Sequence, residues 1–393
     1  MMYKGYLKTA AIALMAFLAV GCVYDFMPEG EDIQGLDEPL LVIEGDIIVG
    51  GTTTVKLKTT RPLDSGAAEE GELYPGASVW VEGADGQMWN GEPAEDGVDK
   101  FLVDTRELAT SGQYRLCVSI PGKGEYHSSF KSVSISPQID SVSYVLNDKK
   151  DVLQVQVSTH NSSSEPLYCK WSFTEDWESN AEFMPYLGLI RHSDWIELYD
   201  LTEEDQLVMT KCFSKGESTD IYIADTEKLS QNVINNARLN AITKPSSKLA
   251  SLYAITVQQT ALDKEAYQYW TSLKASINGT GGLFAPMPNE VRGNIVSTTR
   301  PDEVVLGYIN ASTATTATKF IYGWQVSFFS ITCQETEYPK EQWKEVASAL
   351  LRPVRYKETP EGDLNTNIAF WTSARCVDCR VYSNSTRPDF WPN

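Results

Sequence analysis

The sequence predicts a mainly β protein: an N-terminal Ig-like or transthyretin-like β-sandwich followed by a larger β-rich domain with a few α-helices. Two observations carry this expectation. Short β-branched or alternating runs recur from Pro39 to Ile135 with Gly, Asp and Pro turns between them, the spacing of an all-β sandwich. Beyond them one amphipathic helical stretch, residues 263–277, stands among further strand-like runs.

Residues 40–49 form a β-branched run that ends at Gly50-Gly51, and residues 53–60 alternate Val55 and Leu57 against Lys56 and Lys58. Such alternation places one set of side chains on a core and the other in water. Further strands are expected at 77–82, with a turn at Asp85-Gly86, then at 100–104, 112–120 and 129–135. The first domain thus covers 39–136, the second 137–393. In the second, 151–159 and 168–174 read as strands. Asp263 is a good N-cap for a helix that Asn278-Gly279 stops, with Tyr267, Trp270, Leu273 or Lys274, and Ile277 at helical spacing. Shorter helices are expected at 226–236 and 341–351, and strands at 291–296, 304–311 and 320–329.

At the N-terminus, Lys4 and Lys8 precede an uncharged apolar run from Ala10 to Val20. That run is about half the roughly 20 residues a membrane-spanning helix needs, so it reads as the core of a signal peptide, residues 1–21. Leu18-Ala19-Val20-Gly21-Cys22 resembles the lipobox of bacterial lipoproteins, which makes Cys22 the lipidation site. Ordinary secretion, with Cys22 as a disulfide partner, is the alternative. Residues 22–38, acidic and broken by Pro28, Gly30 and Gly35, read as a flexible tether.

The chain holds 33 basic against 53 acidic residues, net −20. Such a balance argues against nucleic acid and anionic lipid headgroups as partners. Six cysteines remain besides Cys22. Cys376-Val377-Asp378-Cys379 could be a redox dithiol, half of a zinc site, or two members of a disulfide framework. Arg380-Val381-Tyr382 does not read as the helix that would lower a redox thiol's pKa. In an oxidising compartment, disulfides joining Cys376 and Cys379 to Cys212 and Cys333 are therefore the expectation, with the pairing open. Cys117 and Cys169 sit in alternating strands and read as buried thiols.

Phosphate-binding, nucleophile-elbow and metalloprotease motifs are absent, and the three histidines, His127, His160 and His192, lie far apart in sequence. No cofactor or metal is expected. A surface hydrolase using an unmarked carboxylate pair is the competing class, and a purely structural envelope protein a third. Residues 175–205 hold ten acids and one base, interleaved with Trp177, Tyr186, Trp195 and Tyr199. They read as a solvated loop with its aromatics tucked under it, or as a ligand- or partner-facing insertion. The loop Gly281–Pro288, with Phe284 at its centre, reads as packing or as a partner contact.

Several blocks together resemble the Bacteroidota lipoprotein family called domain of unknown function 4249. They include Leu41-Val42-Ile43-Glu44-Gly45, Pro75-Gly76-Ala77-Ser78-Val79, Leu262-Asp263-Lys264-Glu265-Ala266-Tyr267, Gly281-Gly282-Leu283-Phe284, Val305-Leu306-Gly307-Tyr308, Cys376-Val377-Asp378-Cys379 and Arg387-Pro388-Asp389-Phe390-Trp391. The resemblance implies an outer-membrane location and association with a TonB-dependent receptor in nutrient uptake. It also implies that the acids closely following Cys22 (Asp25, Glu29, Glu31 and Asp32) direct the protein to the cell surface.

Overall fold

The computed structural model describes residues 39–60, 74–95, 97–279, 293–328 and 332–392. Cys22, the segment 22–38 expected to be a tether, and Phe284 lie outside the described residues.

The fold is mainly β. Its first module contains β1 (Leu41–Gly45), β2 (Ile47–Ile48), β3 (Thr52–Thr59), β4 (Ser78–Gly83), β5 (Met88–Ala94), β6 (Gly97–Asp104), β7 (Gln113–Ile120), β8 (Gly124–Ser128) and β9 (Lys131–Ser132). β3 shows why these segments are strands. Thr53, Val55 and Leu57 are buried, whereas Lys56 and Lys58 face outward, and Lys58 reaches Glu44 of β1 at 2.9 Å. The inward side chains, among them Ile43, Val55, Leu57, Val81 and Val118, form one core.

The second module begins with β10 (Ile139–Leu146), β11 (Val152–His160) and β12 (Tyr168–Asn180), followed by the hairpin β13 (Leu187–Arg191) and β14 (Ile196–Asp200). The helix Glu203–Thr210 then leads into β15 (Lys211–Glu217), β16 (Tyr222–Asp225), β17 (Val233–Thr243) and β18 (Leu252–Ala261). β10–β11–β17 form one sheet, and β12 and β18 lie at the centre of the other. Between these two sheets Leu153, Val155, Val157, Trp171, Phe173, Ile255 and Val257 make a second core, the arrangement of a sandwich.

The long helix spans Lys264–Gly279. Asp263 caps it, its Oδ1 accepting from the Ala266 amide at 2.7 Å. Ala266 and Tyr269 are buried with Trp270 and Leu273 packed beside them, whereas Ile277 is exposed, so the apolar stripe is shorter than its spacing suggests.

After this helix the chain returns to the first module. β19 (Ile295–Ser297) pairs with β8, β20 (Val305–Leu306) runs parallel to β1, and β21 (Ala311–Ser312) runs parallel to β2. The first sheet therefore reads β19–β8–β7–β4–β5–β6–β3–β1–β20. Gly307 permits the return: its φ is +127°, and a Cβ there would lie 2.0 Å from the Ile43 carbonyl oxygen. β22 (Ala314–Tyr322) crosses back to pair with β18. A C-terminal sheet of β23 (Thr336–Pro339), β24 (Leu351–Glu358) and β25 (Leu364–Ser373) packs with the β13–β14 hairpin through Leu187, Ile196, Trp343 and Trp371.

Three expectations need correction. Residues 226–236 are a turn followed by the start of β17. Val233 and Ile234, β-branched, pair with His160 and Thr159, and the Asn232 side chain holds the turn by donating to the Ser163 and Glu165 carbonyls. Residues 341–351 divide into a 3₁₀ turn, the short helix Trp343–Ser348 and the start of β24. The strand expected to reach residue 329 ends at Tyr322, where a one-turn helix, Gly323–Val326, begins.

Candidate functional site

Strand alternation builds the site. On β12, Trp171 and Phe173 point into the sandwich core, which turns Lys170 and Ser172 to the opposite face. There the strand meets the first module and the long helix, and a half-open cavity of about 710 Å³ lies between the three. Leu40 and Val42 from the edge of the first module, Leu306 from β20, Tyr222 from β16, and Tyr269, Trp270 and Leu273 from the helix line it. This volume falls within the roughly 300–1,000 Å³ of small-molecule sites.

Lys170 Nζ donates to Asp46 Oδ2, joining the two modules across 124 residues. The ammonium also sits 4.3 Å from the centre of the Trp270 ring, a favourable cation–π placement. Both charges are largely withdrawn from water, with Asp46 9% and Lys170 18% exposed at the side chain. The arrangement leaves two polar atoms over: Asp46 Oδ1 and the Trp270 indole nitrogen are buried without a hydrogen-bond partner among the described residues. Burial, and after it the Asp220 carboxylate, pushes the Tyr222 hydroxyl up to about 12. Burial likewise raises Tyr269. The two phenols are thus neutral donors at ordinary pH.

The aromatics singled out from the sequence lie elsewhere. Trp177 packs against the sandwich core with Lys248 over its ring. Tyr186, Trp195 and Tyr199 are about half exposed along the β13–β14 hairpin, where Trp195 stacks on His192 at 4.1 Å. Residues 175–205 are therefore a strand end, a hairpin and a helix start rather than a solvated loop. Glu175 is buried, held by Lys248, the Tyr253 hydroxyl and Asn240. Acid-rich composition suggested solvation here because the partnering cations and hydroxyls come from distant strands.

The four candidate cysteines form two disulfides, Cys212–Cys379 and Cys333–Cys376, with Cα separations of 5.7 and 5.9 Å. Cys117 and Cys169 are free and buried. Among the described residues no group of three or more His, Cys, Asp or Glu side chains is placed to hold a metal ion.

Sequence reasoning missed Asp46 and Lys170. An outward lysine in an alternating strand is ordinary, and no local signal pairs it with an aspartate 124 residues earlier. Trp270 was visible only as part of a helical stripe.

The family described as Domain of unknown function (DUF4249) matches the chain over residues 23–318. The match ends within β22, before the disulfide-bearing C-terminal part. No curated protein matches the chain.

Proposed function

We propose, from the premise that the chain belongs to this DUF4249 family, that it is a lipid-anchored outer-membrane protein that binds rather than transforms its ligand. On this reading it serves as an accessory component of a TonB-dependent nutrient uptake system. The observation that carries the binding role is the inter-module cavity. It is apolar over most of its wall, and the least exposed carboxylate among its lining residues, Asp46, is engaged by Lys170. A general acid or base must be free to exchange a proton with a substrate, and a carboxylate locked to an ammonium is poorly placed for that work. Apolar walls with a few convergent polar groups instead suit recognition.

One surface suits the partner role. The β13–β14 hairpin presents Tyr186, Ile190, Trp195 and Tyr199, each roughly half exposed, beside Asp194, Glu197 and Asp200. Aromatic side chains with an acidic rim fit a protein partner that is apolar at its centre and basic at its edge.

Photo-cross-linking from Trp195 and Tyr199 in native membranes tests the reading. A covalent adduct with an outer-membrane barrel receptor is the expected result, together with digestion of the protein by proteinase in intact cells. Adducts with no receptor, or protection of the whole chain until the outer membrane is ruptured, would overturn it.

A further inference from the structure

We infer that the inter-module cavity takes a ring-bearing, largely apolar small molecule that carries an N–H or O–H donor and no negative charge. The inference rests on the binding role proposed above and supplies its ligand class.

Shape and wall come first. The cavity of about 710 Å³ is half open, and its exposed lining is mostly apolar. Tyr222, Tyr269 and Trp270 contribute rings from two separate elements, β16 and the long helix. Flat aromatic surfaces favour stacking on a ring, at offset or edge-to-face geometry.

Charge comes second. Among the described lining residues Glu44, Asp46 and Asp220 are the acids and Lys170 the cation. Lys170 is already engaged by Asp46 and by the Trp270 ring. An anion entering here would lose its hydration and meet an excess of carboxylates, a costly combination. The unused capacity is that of an acceptor, Asp46 Oδ1, and of one neutral donor, the Trp270 indole N–H. A buried carboxylate oxygen without a donor is destabilising, and a donor on the ligand would relieve that cost.

N-phenyl-1-naphthylamine, a neutral fluorescent diarylamine with one N–H, is a suitable probe. Its counterpart 8-anilinonaphthalene-1-sulfonate has the same rings plus a sulfonate. Both are titrated into the full mature chain bearing Cys22→Ala, which keeps it free of lipid and detergent. The blocking variant is Ser276→Trp. Ser276 lines the cavity from the long helix and is only partly buried, so an indole there fills the site without entering the core. Thermal melting confirms that the variant is folded, and Leu207→Trp, exposed on the helix Glu203–Thr210, controls for an added tryptophan.

The neutral amine should bind with one-to-one saturation and at least tenfold more tightly than the sulfonate. Ser276→Trp should weaken the amine at least tenfold, and Leu207→Trp should leave it unchanged. No saturable binding of the amine, equal or tighter binding of the sulfonate, or indifference of the amine to Ser276→Trp would each overturn the inference. None of these outcomes alters receptor cross-linking from the hairpin, so the binding role and the ligand class fail separately.

Discussion

The Trp391 indole donates to Glu178 Oε2 at 3.3 Å, pinning the C-terminal tail to β12 across 213 residues of chain. The ring wedges edge-on against Phe213 and Phe320. Glu178 also accepts from Ser251 at 2.9 Å and pairs with Lys211 at 3.0 Å. Burial by itself would raise the Glu178 pKa, but Lys211 and the hydrogen bonds outweigh it and hold the carboxyl below its ordinary 4.5.

That direction fixes a pH dependence. A carboxylate whose pKa is lowered by folding stabilises the native state fully above its unfolded pKa, and the contribution is lost as pH falls through the folded value. The tail should therefore stay docked from neutral pH down to about 4.5 and loosen below it. Hydrogen exchange of residues 385–392, followed from pH 7 to 3, should show protection falling in that acid window. Glu178→Gln should lower the protection at pH 7, by about 1–3 kcal/mol of local opening free energy, and flatten the acid transition.

The disulfides anchor the same region. Cys212 lies on β15 and Cys379 in the turn after β25, so their bond closes a long loop. Removing a native disulfide typically costs about 2–5 kcal/mol. Cys379→Ser should lower the melting temperature and make the C-terminal tail protease-sensitive. Mass spectrometry of unreduced protein should recover the pairs 212–379 and 333–376 and no other pairing among these four.

Cys117 and Cys169 should behave oppositely. Burial is the leading cause that pushes both thiols up to about 12. The thiolate is the reactive species, and both groups stay protonated at pH 8. Neither should react with a thiol reagent in the folded protein, and both should react at once after denaturation. Labelling of either in the native state would contradict their placement.

Much of the architecture was legible because its signals are local. Val55 and Leu57 alternate with Lys56 and Lys58 on β3, and Asp263 precedes an amphipathic run. Both patterns follow from the strand and helix periods, and both segments fold accordingly. What was not legible depends on distant partners. Residues 295–312 look like more of the second module, yet they pair with β8, β1 and β2. Segment 226–236 has a helical composition, but strand pairing of Val233 and Ile234 outweighs that propensity. The cavity is the extreme case. Its ion pair joins Asp46 to Lys170, and only the packed arrangement of the two modules brings them together.

Lys131 is a second bridge between the modules. From β9 its ammonium reaches Asp263 Oδ2 at 2.9 Å and Glu265 Oε2 at 2.8 Å, at the start of the long helix. Its side chain is only 9% exposed, whereas Glu265 is 77% exposed. The exposed partner is screened by water and the buried cation is not, so the pair is worth less than a fully buried one. Lys131→Met should reduce unfolding free energy by about 1–2 kcal/mol, measured by urea denaturation. The helix carries Trp270 and Leu273, so the variant should also weaken binding of the neutral amine in the cavity.

The anchor is the remaining prediction, and it follows from the sequence alone. Several acyl chains, at about 0.8 kcal/mol per buried methylene, hold a protein on a bilayer stably, whereas a single chain does so only marginally. If Cys22 carries a diacylglycerol thioether and an acylated amine, the wild-type protein should incorporate a clickable fatty-acid probe and fractionate with outer membranes. Cys22→Ala should take up no label and accumulate as uncleaved precursor or as a soluble form. The first described strand begins at Leu41, well beyond Cys22, so the variant should keep the melting temperature of the wild type. Absence of label from the wild type would remove the anchor, and with it the case for action at the outer membrane.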